Sequence, residues 1–223
     1  MTLVERLNKL DCCAVSDAMD KLGLQPAVSG LEQRSTTRRI AGRVLTFKLA
    51  AAAELKPKPG PPRHLGTTAI EAAQPGDVIV VEQTTGIDAG CWGGILSLGA
   101  KVRGVAGVIA DGPVRDIDEA RMYDFPVYCS SLTARTARAR VAEVQTGEPV
   151  QIRGVRVATN DYAIADASGV VFITAADLPR VLEAAEGIAQ REAAMAEALL
   201  AGQPISEVMG IAYEHMLKKP DFS

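Results

Sequence analysis

The sequence has few of the residues that build soft metal centres. Its 223 residues include two histidines and four cysteines. That excludes a three-histidine zinc centre, and without a CxxC pair a zinc ribbon has no support. Aromatic residues make up 4% of the chain and the formal net charge is −3. Both figures speak against an extended nucleic-acid surface, which needs clustered Lys/Arg and stacking rings. No uninterrupted run of about 18 apolar residues offers a membrane span. The opening MTLVERLNKLD alternates charged and apolar residues and lacks the apolar core of a secretory signal. Cys12 and Cys13 are adjacent while Cys91 and Cys129 are isolated, a pattern unlike a secreted disulfide scaffold. The expectation is a cytoplasmic protein whose cysteines are small buried hydrophobes. Its chemistry is then left to carboxylates, arginines and backbone dipoles.

What is present suits one globular domain spanning residues 1–223, 48% hydrophobic and 23% charged. Helical periodicity runs over 2–22, with Ser16 and Asp17 as candidate caps of a second short helix. IAGRVLTFKLAAA (40–52) predicts a strand, and KPKPGPPR (56–63), with four prolines and a glycine, a loop. A helix at 64–73, a strand at 77–83, a helix at 95–102, a strand at 104–112, a helix at 116–124 and a strand at 125–131 follow. This alternation argues for a parallel or mixed sheet with crossover helices. After residue 135, short alternating strands with turns at Gly147, Gly154, Asn160-Asp161 and Ser168-Gly169 predict an antiparallel meander. A long helix over 175–200 and a last short one over about 204–218 complete the chain, the pair forming a C-terminal helical arm.

The densest unusual segment is AGCWGGILSLGAKVRGVAGVIADGPVRD, residues 89–116. Gly93 and Gly94 precede a helix, so backbone N–H groups there can approach an anion, although a plain tight turn explains a lone Gly-Gly equally well. The glycine spacing is neither a GxGxxG fingerprint nor a phosphate loop. DGPVRD (111–116) ends a buried strand, where ligands collect in open α/β sheets. Asp111 and Asp116 are hard oxygen ligands, and Arg115 is a charged fork suited to a carboxylate or enolate oxygen. Together, two strand ends would present an anion hole, a cation and a carboxylate. Glu192 falls on the apolar stripe of the long helix, at its edge or aimed into a pocket or interface. His64 opens a helix after the proline loop; His215 reads as a surface residue.

The segments SDAMDKLG (16–23), PGDVIVV (75–81), WGGILSLGAKVRGVAGVIADGPVRD (92–116), FPVY (125–128) and ADASGVVFI (165–173) resemble the family that joins 4-hydroxy-4-methyl-2-oxoglutarate aldolases with the regulator of ribonuclease activity A. The resemblance covers roughly residues 3–203. It implies an α/β fold, an RraA-like β/β/α layered swivelling-type sandwich, assembled as a homotrimer or homohexamer with the arm at about 175–218 in the contacts. By position, it implies that Gly93, Gly94, Ile95 and Leu96 hold a substrate carboxylate through their backbone. Arg115 corresponds to the substrate-binding arginine and Asp116 to the metal ligand, while Glu192 matches, more loosely, an acidic residue from a neighbouring subunit.

The implied function is retro-aldol cleavage of a 4-hydroxy-2-oxo diacid, such as 4-hydroxy-4-methyl-2-oxoglutarate or 4-carboxy-4-hydroxy-2-oxoadipate, to pyruvate and a second oxo acid. Mg²⁺ or Mn²⁺ on Asp116 would polarise the substrate carbonyl, and Arg115 would stabilise the enolate. A base, for which a metal-bound water assisted by Glu192 is one candidate, would take the C4 hydroxyl proton. Oxaloacetate decarboxylation follows from the same electrostatics. The partner is then a small 2-oxo acid rather than nucleic acid or membrane. The alternative is a non-catalytic regulator that binds and inhibits a ribonuclease complex, and the intact Arg115-Asp116 pair favours the enzyme. The proline loop, His64-Leu65-Gly66 and Thr159-Asn160, in place of a usual Pro-Gly, depart from the common aldolase pattern.

Overall fold

The computed structural model describes residues 1–25, 27–56 and 63–210. Most of the proline loop (57–62), the end of the last predicted helix and His215 lie outside the described residues.

The long strand β2 (Ile40–Ala51) organises the sheet. Along one edge it pairs in parallel with β3 (Val78–Glu82), from Val44 opposite Val78 to Lys48 opposite Glu82. β4 (Gly107–Val114) and β5 (Val127–Leu132) continue in parallel. The connections carry α3 (Thr67–Ala72), α4 (Gly94–Val102) and α5 (Ile117–Met122), so the expected alternation holds.

The other edge of β2 is shared. Its first residues run antiparallel to β9 (Tyr162–Asp166), and its last to β6 (Val141–Thr146), with a shift in register between Lys48 and Leu49. β10 (Gly169–Ile173) closes a hairpin with β9. Val28 bridges Val170 of β10, and a few residues later β1 (Glu32–Gln33) pairs with β5. The segment between them ties the two ends of the sheet together, so the sheet is nearly closed.

Side-chain alternation decides which layer each strand serves. On β3, Ile79 and Val81 face α3–α5 together with Phe47, Val108 and Val127. Val78 and Val80 face inward, against Phe172 and Ile152. On β9 and β10 the opposite faces, Ile164, Val171 and Ile173, pack under α1 (Leu3–Leu7), α2 (Cys12–Lys21) and α6 (Leu178–Leu200). Strands buried on both faces read as continuous β-branched runs, which is why VIVV looks as it does.

Several boundaries differ from expectation. Two helices replace the continuous 2–22 periodicity, and Asp11, not Ser16 or Asp17, caps the second by accepting from Ala14 N at 2.8 Å. Ser16 and Asp17 lie inside α2. β4 runs on through Val114, accommodating Pro113 by a register shift after Ala110. The predicted meander is not continuous. β7 (Val150–Ile152) and β8 (Val155–Val157) form a hairpin of their own, while β6 and β9 each pair with β2. A single long strand with two free edge segments outcompetes pairing between sequence neighbours. Asn160 has φ 75°, a left-handed turn that Asn tolerates, so Thr159-Asn160 can stand where a Pro-Gly is usual.

Candidate active site

The site grows from the end of β4. Arg115 N donates to Trp92 O at 3.0 Å and Cys91 N to Pro113 O at 2.8 Å, laying residues 91–93 along the strand. Trp92 anchors this segment. Its ring is buried between Phe47 and Phe125, with centroids at 6.4 and 6.3 Å. Trp92 Nε1 donates to Ser97 Oγ (2.9 Å), which donates to Gly93 O (3.0 Å). The start of α4 is therefore held by a buried indole rather than by a side-chain cap.

Glycine is required here for close approach. A Cβ on Gly90 would stand 3.0 Å from Arg115 Cγ, and one on Gly93 would stand 2.9 Å from Asp116 Oδ2. A Cβ on Gly94 would overlap the Glu119 carboxylate. The three glycines let Arg115, Asp116 and Glu119 lie directly on the loop. Asp116 itself has φ 55° and ψ 39°, a left-handed conformation between β4 and α5. Its carboxylate accepts from Gly94 N at 3.2 Å and from Arg115 Nε at 3.1 Å.

The result is a cleft of about 170 Å³. Gly93, Gly94, Ile95, Leu96, Arg115 and Asp116 all line it, so the structure brings these six sequence candidates together. Ile95 turns its side chain outward, 76% exposed, while Leu96 is buried. The first-turn amides of Ile95 and Leu96 have no helical carbonyl to reach, which makes the end of α4 a set of fixed donors. His64, Leu65, Gly90, Trp92, Thr136 and Ala137 complete the lining. Thr136, Ala137 and the carboxylate of Glu119 escaped sequence reasoning. The first two come from the distant 133–140 segment, and only the Gly94 contact reveals the third.

Two other candidates stand elsewhere. Asp111 is buried and committed to the β7–β8 hairpin, accepting from Arg153 N at 3.1 Å and pairing with Arg153 Nε at 3.0 Å. It is therefore a latch rather than a ligand. Glu192 is half-buried on α6, past Ile188, the last buried residue of its stripe. Burial first, then the negative Asp11 and Asp17, push its carboxyl above the ordinary glutamate range. It does not line the cleft of its own chain.

All four cysteines are free, with Cys12, Cys91 and Cys129 buried and Cys13 exposed. Burial raises the Cys129 thiol to about 11, as expected of a small hydrophobe rather than a nucleophile. A second hollow of about 200 Å³ lies between α2 and β10, lined by Cys13, Ser16, Asp17 and Ser168 among others, with no cation among the described residues of its lining. No helix among the described residues is long and apolar enough to cross a membrane.

As a metal site the cleft offers one hard carboxylate, Asp116, about one-third exposed (32%). Among the described residues no group of three or more His, Cys, Asp or Glu converges on a point. The donor set thus fits an ion held by one carboxylate with water and substrate completing its shell, a habit of Mg²⁺ rather than of a protein-caged metal.

Residues 12–172 match the family model described as RraA-like: Aldolase/RraA. The chain is 34% identical over 121 residues to the uncharacterized protein MJ0644 of Methanocaldococcus jannaschii, covering 54% of this chain and 57% of that protein. It is 25% identical over 205 residues to protein DlpA of Legionella pneumophila, covering 92% of this chain and 33% of DlpA. The chain thus spans less than two thirds of the length of either relative. A Halalkalibacterium halodurans protein named "Putative 4-hydroxy-4-methyl-2-oxoglutarate aldolase" is 26% identical over 82% of this chain and 81% of its own length. Among solved structures, an uncharacterized protein from Pseudomonas syringae shares the fold with a TM-score of 0.83 at 23% identity, over 93% of this chain and 96% of that one. Streptomyces coelicolor RraAS2, described as an unusual member of the RNase ES inhibitor RraA protein family, has a TM-score of 0.72 at 25% identity, over 85% and 93% of the two chains.

Proposed function

The chain belongs to the RraA-like family, and on that premise we propose that its cleft cleaves the C3–C4 bond of a 4-hydroxy-2-oxo diacid to release pyruvate. The observation that carries this reading is the convergence of Arg115, Asp116 and the first amides of α4 on one cleft. A 2-oxo acid presents a carboxylate beside a carbonyl oxygen that becomes an enolate oxygen during cleavage. The amides of Ile95 and Leu96 hold the carboxylate. Arg115, permanently charged, faces the developing enolate oxygen and stabilises the negative charge where it appears. Asp116 accepts from Arg115 Nε, which holds the guanidinium in place for that role.

Asp116 is also the residue that would hold Mg²⁺ or Mn²⁺. When bound, such an ion supplies Lewis-acid polarisation of the substrate carbonyl. Glu192 joins the site only if a neighbouring copy brings α6 to the cleft, as in a homotrimer or homohexamer. The same enolate forms when oxaloacetate loses carbon dioxide, so decarboxylation accompanies aldol cleavage.

The test is pyruvate release from a panel of 4-hydroxy-2-oxo diacids and oxaloacetate, with Mg²⁺ and then with chelator, in the wild type and in Asp116→Asn. Asn tolerates the left-handed backbone at 116, so the variant removes charge without straining the turn. The expected outcome is chelator-sensitive pyruvate release that the variant lacks. Silence with every acid sinks the reading and favours a ribonuclease regulator, which needs no metal. So does activity that survives Asp116→Asn unchanged.

A further inference from the structure

The geometry points to His64 as the group that takes the C4 hydroxyl proton and returns it to the pyruvate enolate. This inference rests on the aldol reading of the cleft and names the base that the reading needs. Among the described residues of the cleft lining, three side chains can carry charge: His64, Arg115 and Asp116. Arg115 does not give up its proton in water. Asp116 is occupied by Gly94 N and Arg115 Nε. Histidine is the one side-chain type of the three that both accepts and releases a proton near neutrality.

The local structure presents the ring ready for this work. His64 Nδ1 lies 3.0 Å from Leu65 O. A carbonyl oxygen only accepts, so Nδ1 is the donor of this contact and Nε2 is the nitrogen left to exchange a proton. The backbone is pinned as well, since Thr67 Oγ1 donates to His64 O at 2.7 Å. Gly66 turns the chain through φ 76° and gives its N–H to Glu143 Oε2 of β6 at 2.6 Å. Among the described residues, Arg63, Glu143 and Arg115 each have a partner. Arg63 bonds Glu71 of α3 at 3.3 Å, Glu143 is held by Gly66 N and Thr146 Oγ1, and Arg115 bonds Asp116.

The step balances. The C4 hydroxyl proton passes to Nε2 as the O–H electrons form the new C4 carbonyl. The C3–C4 bonding pair moves into the pyruvate enolate, whose oxygen faces Arg115. The imidazolium then returns the proton to C3, releasing pyruvate and restoring neutral His64. Oxaloacetate decarboxylation has no hydroxyl proton to remove, so it needs no base and shares only the return of a proton to C3.

That difference supplies the experiment. Cleavage of a 4-hydroxy-2-oxo diacid and decarboxylation of oxaloacetate are measured side by side in wild type, His64→Asn and His64→Ala. A lost general base lowers kcat for cleavage by about 10²–10⁴-fold. Decarboxylation should fall much less than cleavage, and added imidazole should restore cleavage in His64→Ala. An equal fall of both activities makes His64 structural and overturns the inference, as does unchanged cleavage. Wild-type decarboxylation without any cleavage overturns it while leaving the Arg115 site standing. Absence of both activities in the wild type removes the aldol reading itself, and the inference with it.

Discussion

The hollow between α2 and β10 is about 200 Å³, and the cleft beside α4 is about 170 Å³. The smaller one gathers an arginine, a carboxylate, a histidine and the amides of a helix start. The larger has Asp17 in its lining, and Glu192 feels that charge. On this side carboxylates meet carboxylates: burial and then Asp20 and Asp11 push Asp17 above its ordinary range, and burial and then Asp11 and Asp17 do the same to Glu192. Volume therefore does not mark the site. On the proposed reading, the chemistry follows from opposite charges and fixed dipoles arranged to receive an anion.

Substitution on the two sides should have unlike consequences. The largest effect is expected from Arg115→Ala, because the enolate loses its cation. Pyruvate formation from oxaloacetate should fall about 10²–10³-fold with little change in thermal midpoint, since the side chain is about one-third exposed (36%). A small loss of activity would erase the contrast between the two hollows.

Gly94→Ala ranks next. Its methyl would overlap the Glu119 carboxylate, and crowding of this kind costs about 1–3 kcal/mol. Chemical denaturation should register the loss, and adding Glu119→Ala should recover most of it. Failure of the double variant to recover would mean that the backbone at 94, not the Glu119 contact, sets the cost.

Glu192→Gln should have the smallest effect, and it should be a gain. Glu192 has a raised folded-state pKa. The folded state therefore binds more proton than the unfolded state just above the ordinary glutamate pKa, and stability falls as pH rises through that window. Gln carries no charge to repel Asp11 and Asp17. The variant should melt slightly higher at neutral pH and show a flatter stability profile across the window. A lower melting point at neutral pH would show that the Glu192 carboxylate has a favourable partner, and the contrast between the two regions would shrink.

Much of the cleft was legible because its residues are adjacent in sequence. Gly93 to Leu96 and Arg115-Asp116 each occupy a single turn, and the parallel crossover between β3 and β4 places strand ends together. Thr136 and Ala137 were not legible, because their approach depends on how the segment after β5 crosses the molecule. Asp111 misled for a related reason. Alternation along β4 turns it away from Asp116 and toward the hairpin it latches. The meander failed because strand partners are chosen by free edges, and β2 offers two.

The amino-acid sequence by itself determined the periods of its strands and helices, the glycine spacing at 90–94, the Arg115-Asp116 pair and the poverty of soft metal ligands. These are local properties, set by residue type and spacing. Only the tertiary structure decided that three glycines admit Arg115, Asp116 and Glu119 to the loop, that His64 lines the same cleft, and that Glu192 stands outside the cleft of its own chain. Those outcomes depend on which faces are buried against which. Burial is decided by the closing of the whole sheet, a property that no short stretch of chain carries.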